Sequence, residues 1–519
     1  MAEFRNLREV LEWPKRFIQD IAGHVAGDAM LHVLWAVAER GILLCTDFSG
    51  IGGPEIALRR ILGALWDWNG REQQQLLAWS GSDICPINRQ VLMNEEAAGG
   101  CQHVFGDLLS RCSERTVDEM TAHLTHAKAI FKDRVEAGMS WLGASSAAGS
   151  EIWPAMAATL EEEGFGDDDM AWCHKCRKLC RVHGPFSGSG GKIRVKVAGS
   201  VCKPWSAMGN RTGWASEHTL PFAVWIYQCA AVQPDLLVHE CTENFEHMVL
   251  KEIMGKDYDM ASFVFCPTHI GIPSRRKRRY TILLHRRMVM QSMCSFDRLF
   301  FRPCNLPGTI YCSAPQDVIE ACTEKLAAKQ KLPCKRPCGA SWTMREVLAP
   351  SQSRVLRQYE EHVRSKGTAC MFFNLAQTPE WAKPAGTYCP ALLTRTGILW
   401  NTVKKRLVQP EECFAIMGLP FFPGDSNEPH RFPIQIFASR GILTATKIRF
   451  MWGNGMHQAA IGATLLFAFV SMGVAQQESL VHYSQPCDDV WADVEDVLEQ
   501  ERQTPLLHNY ALHDEMWAE

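Results

Sequence analysis

Leu43-Leu-Cys-Thr-Asp-Phe-Ser-Gly-Ile-Gly-Gly53, followed by a helical pattern from Glu55 to Leu65, is the stretch that decides the fold. A short apolar run, a glycine-rich turn and a helix make the first unit of a doubly wound α/β sheet. The glycines let the backbone approach a ligand, and the helix N-terminus favours polar or anionic groups there. A second strand-like run, Leu76 to Trp79, leads to Ser80-Gly-Ser-Asp83, and a third ends in His103-Val-Phe-Gly-Asp107. An acid after the second strand is where such folds hold a ribose diol. Asp83, Asp107 and the glycine turn together point to a nucleoside-containing cofactor. The absence of a full G-x-G-x-x-G disfavours a pyrophosphate dinucleotide.

Further along, the β-prone run Ile193, Val195, Val197 carries the chain to Gly199-Ser200 and then Cys202, with Lys203 beside it. A cysteine at a strand end beside a cation is a candidate nucleophile, because the thiolate is the reactive form and a cation favours it. Pro234-Asp-Leu-Leu-Val-His-Glu240 reads as a buried strand ending in an acid. Gly271-Ile-Pro-Ser-Arg-Arg-Lys-Arg-Arg-Tyr280 runs into a strand from Thr281 to His285. Strand alternation places Arg276 and Arg278 on one side.

The chain has 519 residues, 46% hydrophobic and 21% charged, with a net charge of −3. This is the balance of a folded globular protein with room for one to three domains. It excludes a global basic field, so any nucleic-acid contact has to come from a local patch. Met1 to Arg40 shows helical spacing broken by charges and no secretory pattern, so the 21 cysteines are expected to be reduced thiols. The most apolar run, Ala459 to Ala475, is short for a membrane span and is read as a buried helix; no membrane partner is expected.

Residues 110–191 interrupt the strand–helix alternation. Thr116 to Leu142 has a helical pattern, whereas Ala144–Gly149, Gly164–Asp169 and Ser187–Gly191 read as linkers. Between them lies Cys173-x2-Cys176-x3-Cys180-x2-His183. These four soft ligands can hold a structural zinc tetrahedrally, or remain free thiols on a basic loop. From 286 to about 440 the chain is less regular, as expected of a second, smaller domain; 441–480 returns to the style of the first, and 481–519 is an acidic tail. Residues 1–40 stand as a helical extension and 41–285 as the main domain.

In this order the parts resemble the cytosine-5 DNA methyltransferase family. Phe48-Ser-Gly-Ile-Gly-Gly53 is similar to its F-x-G-x-G cofactor loop, with Thr46 where the family carries an acid. Ala198 to Gly209 resembles G-G-P-P-C-Q-x-F-S, with Cys202 at the nucleophile position, Trp205 for Phe and Ser206 for Ser; Ser200 and Val201 replace the prolines. Glu240-Cys-Thr-Glu-Asn-Phe245 stands where the family reads E-N-V-x-N-F. The spacing from Pro234 favours Glu240 as the catalytic acid over Glu243. Gly271 to Arg278 resembles G-x-P-Q-x-R-x-R, Arg406 to Pro420 a segment R-x-L-T-P-x-E ending in G-F-P, and Gly453-Asn-Gly-Met456 the motif G-N-S-V.

The resemblance implies a Rossmann-like S-adenosylmethionine-dependent methyltransferase domain with a smaller target-recognition domain. It implies a methyl group moved from S-adenosylmethionine to carbon 5 of a flipped-out cytosine in DNA. Cys202 would form the covalent adduct, Glu240 would act at ring nitrogen 3, and Arg278, supported by Arg276, would act at the exocyclic oxygen. Phe48, Gly50, Gly52, Asp83, Asp107 and Asn454 would hold the cofactor. Ser206, Arg275, Lys277 and Arg279 would meet the substrate, the last three through phosphates. The location expected is intracellular, and nuclear in a eukaryote. The alternative function is a relative without turnover, or one directed to RNA, acting as a binding or regulatory protein. The plain alternatives for individual residues are a tight turn at Gly50–Gly53, a core aromatic at Trp205, a turn residue at Asn454 and a solvated face at Arg275–Arg279.

Overall fold

The computed structural model describes residues 3–473 apart from 71–75, 95–99, 185–190, 291–293, 334, 337, 368–369, 381–385, 394–397, 423, 427–435, 439 and 442. The acidic tail and most of the Ser187–Gly191 joint lie outside these residues.

Nine strands matter for the site: β1 (Ile42–Asp47), β2 (Leu77–Ser82), β3 (His103–Phe105), β4 (Met170–Cys173), β5 (Lys178–Arg181), β6 (Ile193–Gly199), β7 (Leu236–Cys241), β8 (Tyr258–Phe265) and β9 (Arg278–His285). Seven of them form one sheet in the order β3-β2-β1-β6-β7-β9-β8. β3, β2, β1, β6 and β7 run parallel, and β9 is inserted antiparallel between β7 and β8. The fold is therefore Rossmann-like α/β. The strand order reverses between β1 and β6, and the carboxyl ends of those strands open the crevice where ligands bind in such sheets.

Both faces of the sheet are covered, which explains why the inner strands β1, β6 and β7 are buried along nearly their whole length rather than at alternate residues. Leu236 and Val238 on β7 enter one core, and Leu237 between them enters the other. The first core takes helices Trp13–Ala22, Gly27–Arg40, Gly53–Asn69 and Gln458–Val470. Residues 3–40 thus hold three helices, all built into the main core, through Val10 and Leu11, through Trp13 and Phe17, and through Met30 and Leu34. All 13 residues of Gln458–Val470 are buried, as a helix apolar on every side requires. A Cβ on Gly462 would lie 2.0 Å from Trp13 Cη2, so glycine lets that indole cross the helix. No described helix is long and apolar enough to cross a membrane.

The second core takes helices Glu114–Glu136, Trp141–Glu163 and Thr219–Val232. Here one expectation is corrected: Ala144–Gly149 is helix, not linker. Its small residues create room, since a Cβ on Gly149 would lie 2.6 Å from Trp214 Cδ1. Between 319 and 407 a third, smaller core forms around Val347, Leu356, Tyr359, Phe373 and Trp400, where a three-stranded antiparallel sheet meets helices Gln316–Lys329 and Pro350–Lys366. Cys413 to Leu419 is already back in the first core.

Candidate active site

Where β1 ends, the backbone enters a left-handed path: Phe48 has φ 52°, Gly50 φ 57° and Gly52 φ 80°. For Phe48 this conformation costs about 1–2 kcal/mol, and strained residues of this kind cluster at ligand sites. The turn is stitched to the end of β2. Ser49 N–H donates to the Ser82 carbonyl (2.9 Å), Ser82 N–H donates to Ser49 Oγ (2.8 Å), and Gly50 N–H donates to Asp83 Oδ2 (2.8 Å). Asp83 Oδ1 accepts from Cys85 N–H at 2.8 Å and from Asn88 Nδ2 at 3.1 Å. Burial raises the Asp83 carboxyl above its ordinary value. Asp107, after β3, accepts the Leu109 N–H on Oδ1 at 3.1 Å and caps a short 3-10 turn.

β1 also fixes two acids the sequence did not single out as functional. Asp47 is buried with Arg111 Nη2 at 2.7 Å and Lys196 Nζ at 3.1 Å. Burial alone would raise its carboxyl, but those two cations hold it well below the usual carboxylate range. On the helix that follows the turn, Glu55 is fully buried and reaches back to Thr46 Oγ1. A carboxyl therefore stands beside the position where the resembled family carries its acid. Burial pushes Glu55 up to about 7.

β6 is the central strand, and Cys202 follows its end half-buried. The Cys202 carbonyl accepts N–H bonds from Trp205 (3.0 Å) and Ser206 (2.9 Å), which closes a turn around it. Trp205 anchors that turn, 3% exposed, with ring centroids 4.7 Å from Trp214 and 5.3 Å from Phe245. Where the resembled family has proline, Ser200 Oγ is hydrogen-bonded to His239 Nε2 on β7 at 2.8 Å. This tether is non-local and left no local signal in the sequence.

Next to β6, Gly199 pairs with Glu240 in the sheet register. Glu240 is 6% exposed, and Arg278 Nε lies 3.2 Å from its Oε1. Cys202 and Glu240 both act electrostatically on Arg276 and Arg278, so the four groups share one end of the sheet. Glu243 instead sits in a half-exposed pair with Lys277 at 2.8 Å. Arg276 is buried; Nη2 donates to the carbonyls of Gly455 (2.5 Å) and Gly453 (3.3 Å). Its Nε and Nη1 are buried without partners among the described residues. Burial, and then Arg278, push this guanidinium down to about 10.

The Met456–Gln458 segment packs against the β1 turn and the end of β6. A Cβ on Gly199 would come within 2.5 Å of Met456 Cε, and one on Gly53 would lie 3.5 Å from Met456 Cβ. Met456 and the fully buried Gln458 thus do the packing, while Asn454 is exposed at the end of its helix and is not brought into this group. The basic run alternates: Arg275 and Lys277 are exposed, whereas Ser274 and Arg276 are buried. Arg275 lies 5.8 Å from the Tyr388 ring, facing the 286–440 region. Arg279 turns to Ser262 Oγ (3.2 Å) and the Glu243 carbonyl (3.3 Å) on the other side. Ser206 stays half-buried within the Cys202 turn.

The cysteine–histidine set needs one correction. Cys173, Cys176 and Cys180 do converge, but the fourth group is His103 from β3 rather than His183. His183 is buried beside Asp169, its Nε2 3.8 Å from Oδ2.

No family model matches the chain, and no curated protein matches it. Solved structures similar to it include a prophage-encoded E. coli protein described as a DNA modification methyltransferase (11% identity, TM-score 0.41, covering 82% of this chain and 98% of that one). The Entamoeba histolytica methyltransferase EhMeth is similar at 12% identity and TM-score 0.41, covering 83% of this chain and 98% of that one. S. pombe Dnmt2 methyltransferase is similar at 13% identity and TM-score 0.35, covering 82% and 97%. With TM-scores below 0.5, these likenesses add nothing to what the strand order already says of the fold.

Proposed function

We propose that this protein transfers a methyl group from S-adenosylmethionine to carbon 5 of cytosine in DNA, through a covalent adduct of Cys202 with a flipped-out base. The observation that carries the reading is the gathering of Cys202, Glu240, Arg278 and Arg276 at the carboxyl end of the central strands, beside the β1 turn.

The residues present fit the cofactor. Among the described residues nothing lies within 4 Å of the Cβ position over Gly50, so the turn leaves a cradle at its crest. A carboxylate offers about four acceptor sites. The Gly50, Cys85 and Asn88 bonds leave Asp83 with spare capacity for a ribose hydroxyl. Asp107 Oδ2 takes no part in the capping bond and would accept from an exocyclic amine. When bound, S-adenosylmethionine supplies an electrophilic methyl group on a sulfonium centre.

The protein's own residues do the rest. Cys202 Sγ, as thiolate, adds to carbon 6 of the ring and moves electron density to carbon 5; once carbon 5 is substituted, loss of its proton to water expels Sγ from carbon 6 and restores the thiolate. Glu240 holds a proton at ring nitrogen 3 as negative charge develops. Arg278 stabilises that charge at the exocyclic oxygen, with the unmade donors of Arg276 behind it. The Ser200–His239 bond and the Trp205 anchor hold the Cys202 turn still without the usual prolines. Arg275, exposed beside Tyr388 of the 286–440 region, and the exposed Lys277 would meet phosphates.

Tritiated methyl transfer tests the reading. The full chain should label duplex DNA, the label should digest to 5-methyl-2′-deoxycytidine, and Cys202→Ser should abolish it. Label in RNA alone, or bound cofactor with no transfer to either polymer, would favour the alternative readings.

A further inference from the structure

We propose that Cys173, Cys176, Cys180 and His103 form a closed structural zinc site that staples the inserted β4–β5 hairpin to the edge strand β3. The donor atoms of all four lie within 4.8 Å of one another. His103 Nδ1 is 3.8 Å from Cys173 Sγ and 3.5 Å from Cys176 Sγ. Tetrahedral zinc, with bonds of about 2.3 Å to sulfur and 2.0–2.1 Å to nitrogen, requires sulfur–nitrogen separations of about 3.6 Å. The side chains therefore already stand at coordination distance, although they come from segments some seventy residues apart.

The backbone is shaped for the same purpose. Cys173 ends β4, Cys176 lies in the turn, and Cys180 is on β5 opposite Ala171. Arg177 takes the left-handed conformation (φ 54°), and its N–H returns to the Cys173 carbonyl at 2.8 Å. Cys173 Sγ accepts two backbone N–H groups, from Cys176 and Val104, each at 3.4 Å. Such second-layer bonds orient and support a thiolate ligand. Three thiolates on a divalent ion leave one net negative charge, which Lys175, Arg177 and Lys178 in the same hairpin offset.

The hairpin needs the staple. Among the described residues its own apolar cluster is Phe105, Ala171, Cys173, Cys180 and Val182, and an isolated two-stranded ribbon is marginal in water. Four protein ligands leave no open position, which marks a structural rather than a reactive ion. Its place is next to the sheet edge that ends in Gly106-Asp107: His174 N–H bonds the Val104 carbonyl at 2.7 Å, and its ring lies 3.0 Å from the Cβ position of Gly106.

The test is metal content of the full chain, purified without a metal resin and dialysed against a zinc buffer. About one zinc per chain is expected, and cobalt in its place should show a thiolate charge-transfer band. Cys176→Ser, at an exposed position, and His103→Ala should each weaken zinc retention at least tenfold. His183→Ala and the exposed control Cys338→Ser should keep it. Far-UV circular dichroism checks that each variant is folded. Folded parent protein that binds neither zinc nor cobalt overturns the proposal. So does a His103→Ala variant that retains zinc while His183→Ala loses it.

Discussion

Replacing Glu240 by glutamine removes one charge from a buried pair and keeps the shape. Glu240 is 6% exposed and the Arg278 side chain 14%, with 3.2 Å between Nε and Oε1. Glutamine still offers a carbonyl acceptor, but Arg278 and the buried Arg276 lose their shared counter-charge. A lost charge-assisted bond costs about 1.5–3 kcal/mol, and a fully uncompensated buried charge about 3–5. The partial exposure of Arg278 places the expected loss near the lower figure, about 2 kcal/mol. Loss of a positioned acid should also slow methyl transfer by about 10²–10⁴-fold. Glu243→Gln is the contrast: its pair with Lys277 is 45% and 47% exposed, so less than about 1 kcal/mol and little change in rate are expected. Single-turnover methyl transfer and thermal denaturation of both variants read the two effects separately. A near-parental rate for Glu240→Gln together with a collapsed rate for Glu243→Gln would refute the assignment of the acid.

Two further perturbations probe the β1 turn. Because burial raises Glu55 from 4.5 to about 7, the folded chain keeps a proton that the unfolded chain releases between those values. Its contribution to stability is full below about pH 4.5 and falls by about 3 kcal/mol as pH rises to 7; Glu55→Gln should flatten that part of the denaturation profile, and an unchanged profile would contradict the burial argument. Asp47→Asn strands Lys196 and Arg111, whose side chains are 3% and 2% exposed, and should lower stability by about 3–5 kcal/mol in denaturant titration; an unchanged midpoint would show that the cluster does not depend on its acid.

The elements legible in the sequence were those whose signal is local. β1 with its glycine turn, the acids closing β2 and β3, and the apolar run ending at Glu240 each carry their pattern within a dozen residues. Strand alternation suggested only that Arg276 and Arg278 share a side, and their role came from the resemblance; burial does alternate from 274 to 277, although β9 itself begins at Arg278. What escaped was decided by distant partners. The small residues of 144–149 look like a linker until Trp214 is packed against Gly149. The fourth member of the cysteine cluster is His103, on a different strand, whereas counting along the chain stops at the nearer His183. Likewise the Ser200–His239 bond and the reach of Glu55 to Thr46 exist only once β6 lies beside β7 and the turn has folded back.

The central claim is that Cys202 is the nucleophile of a cytosine-directed transfer. Its most direct test is covalent trapping on DNA that carries 5-fluorocytosine, in the presence of S-adenosylmethionine, followed by mass spectrometry of the linked peptide. A stable adduct is expected on the peptide containing Cys202 and none in Cys202→Ser. An adduct that persists in Cys202→Ser, or no adduct from folded, cofactor-bound protein on any DNA, would contradict it.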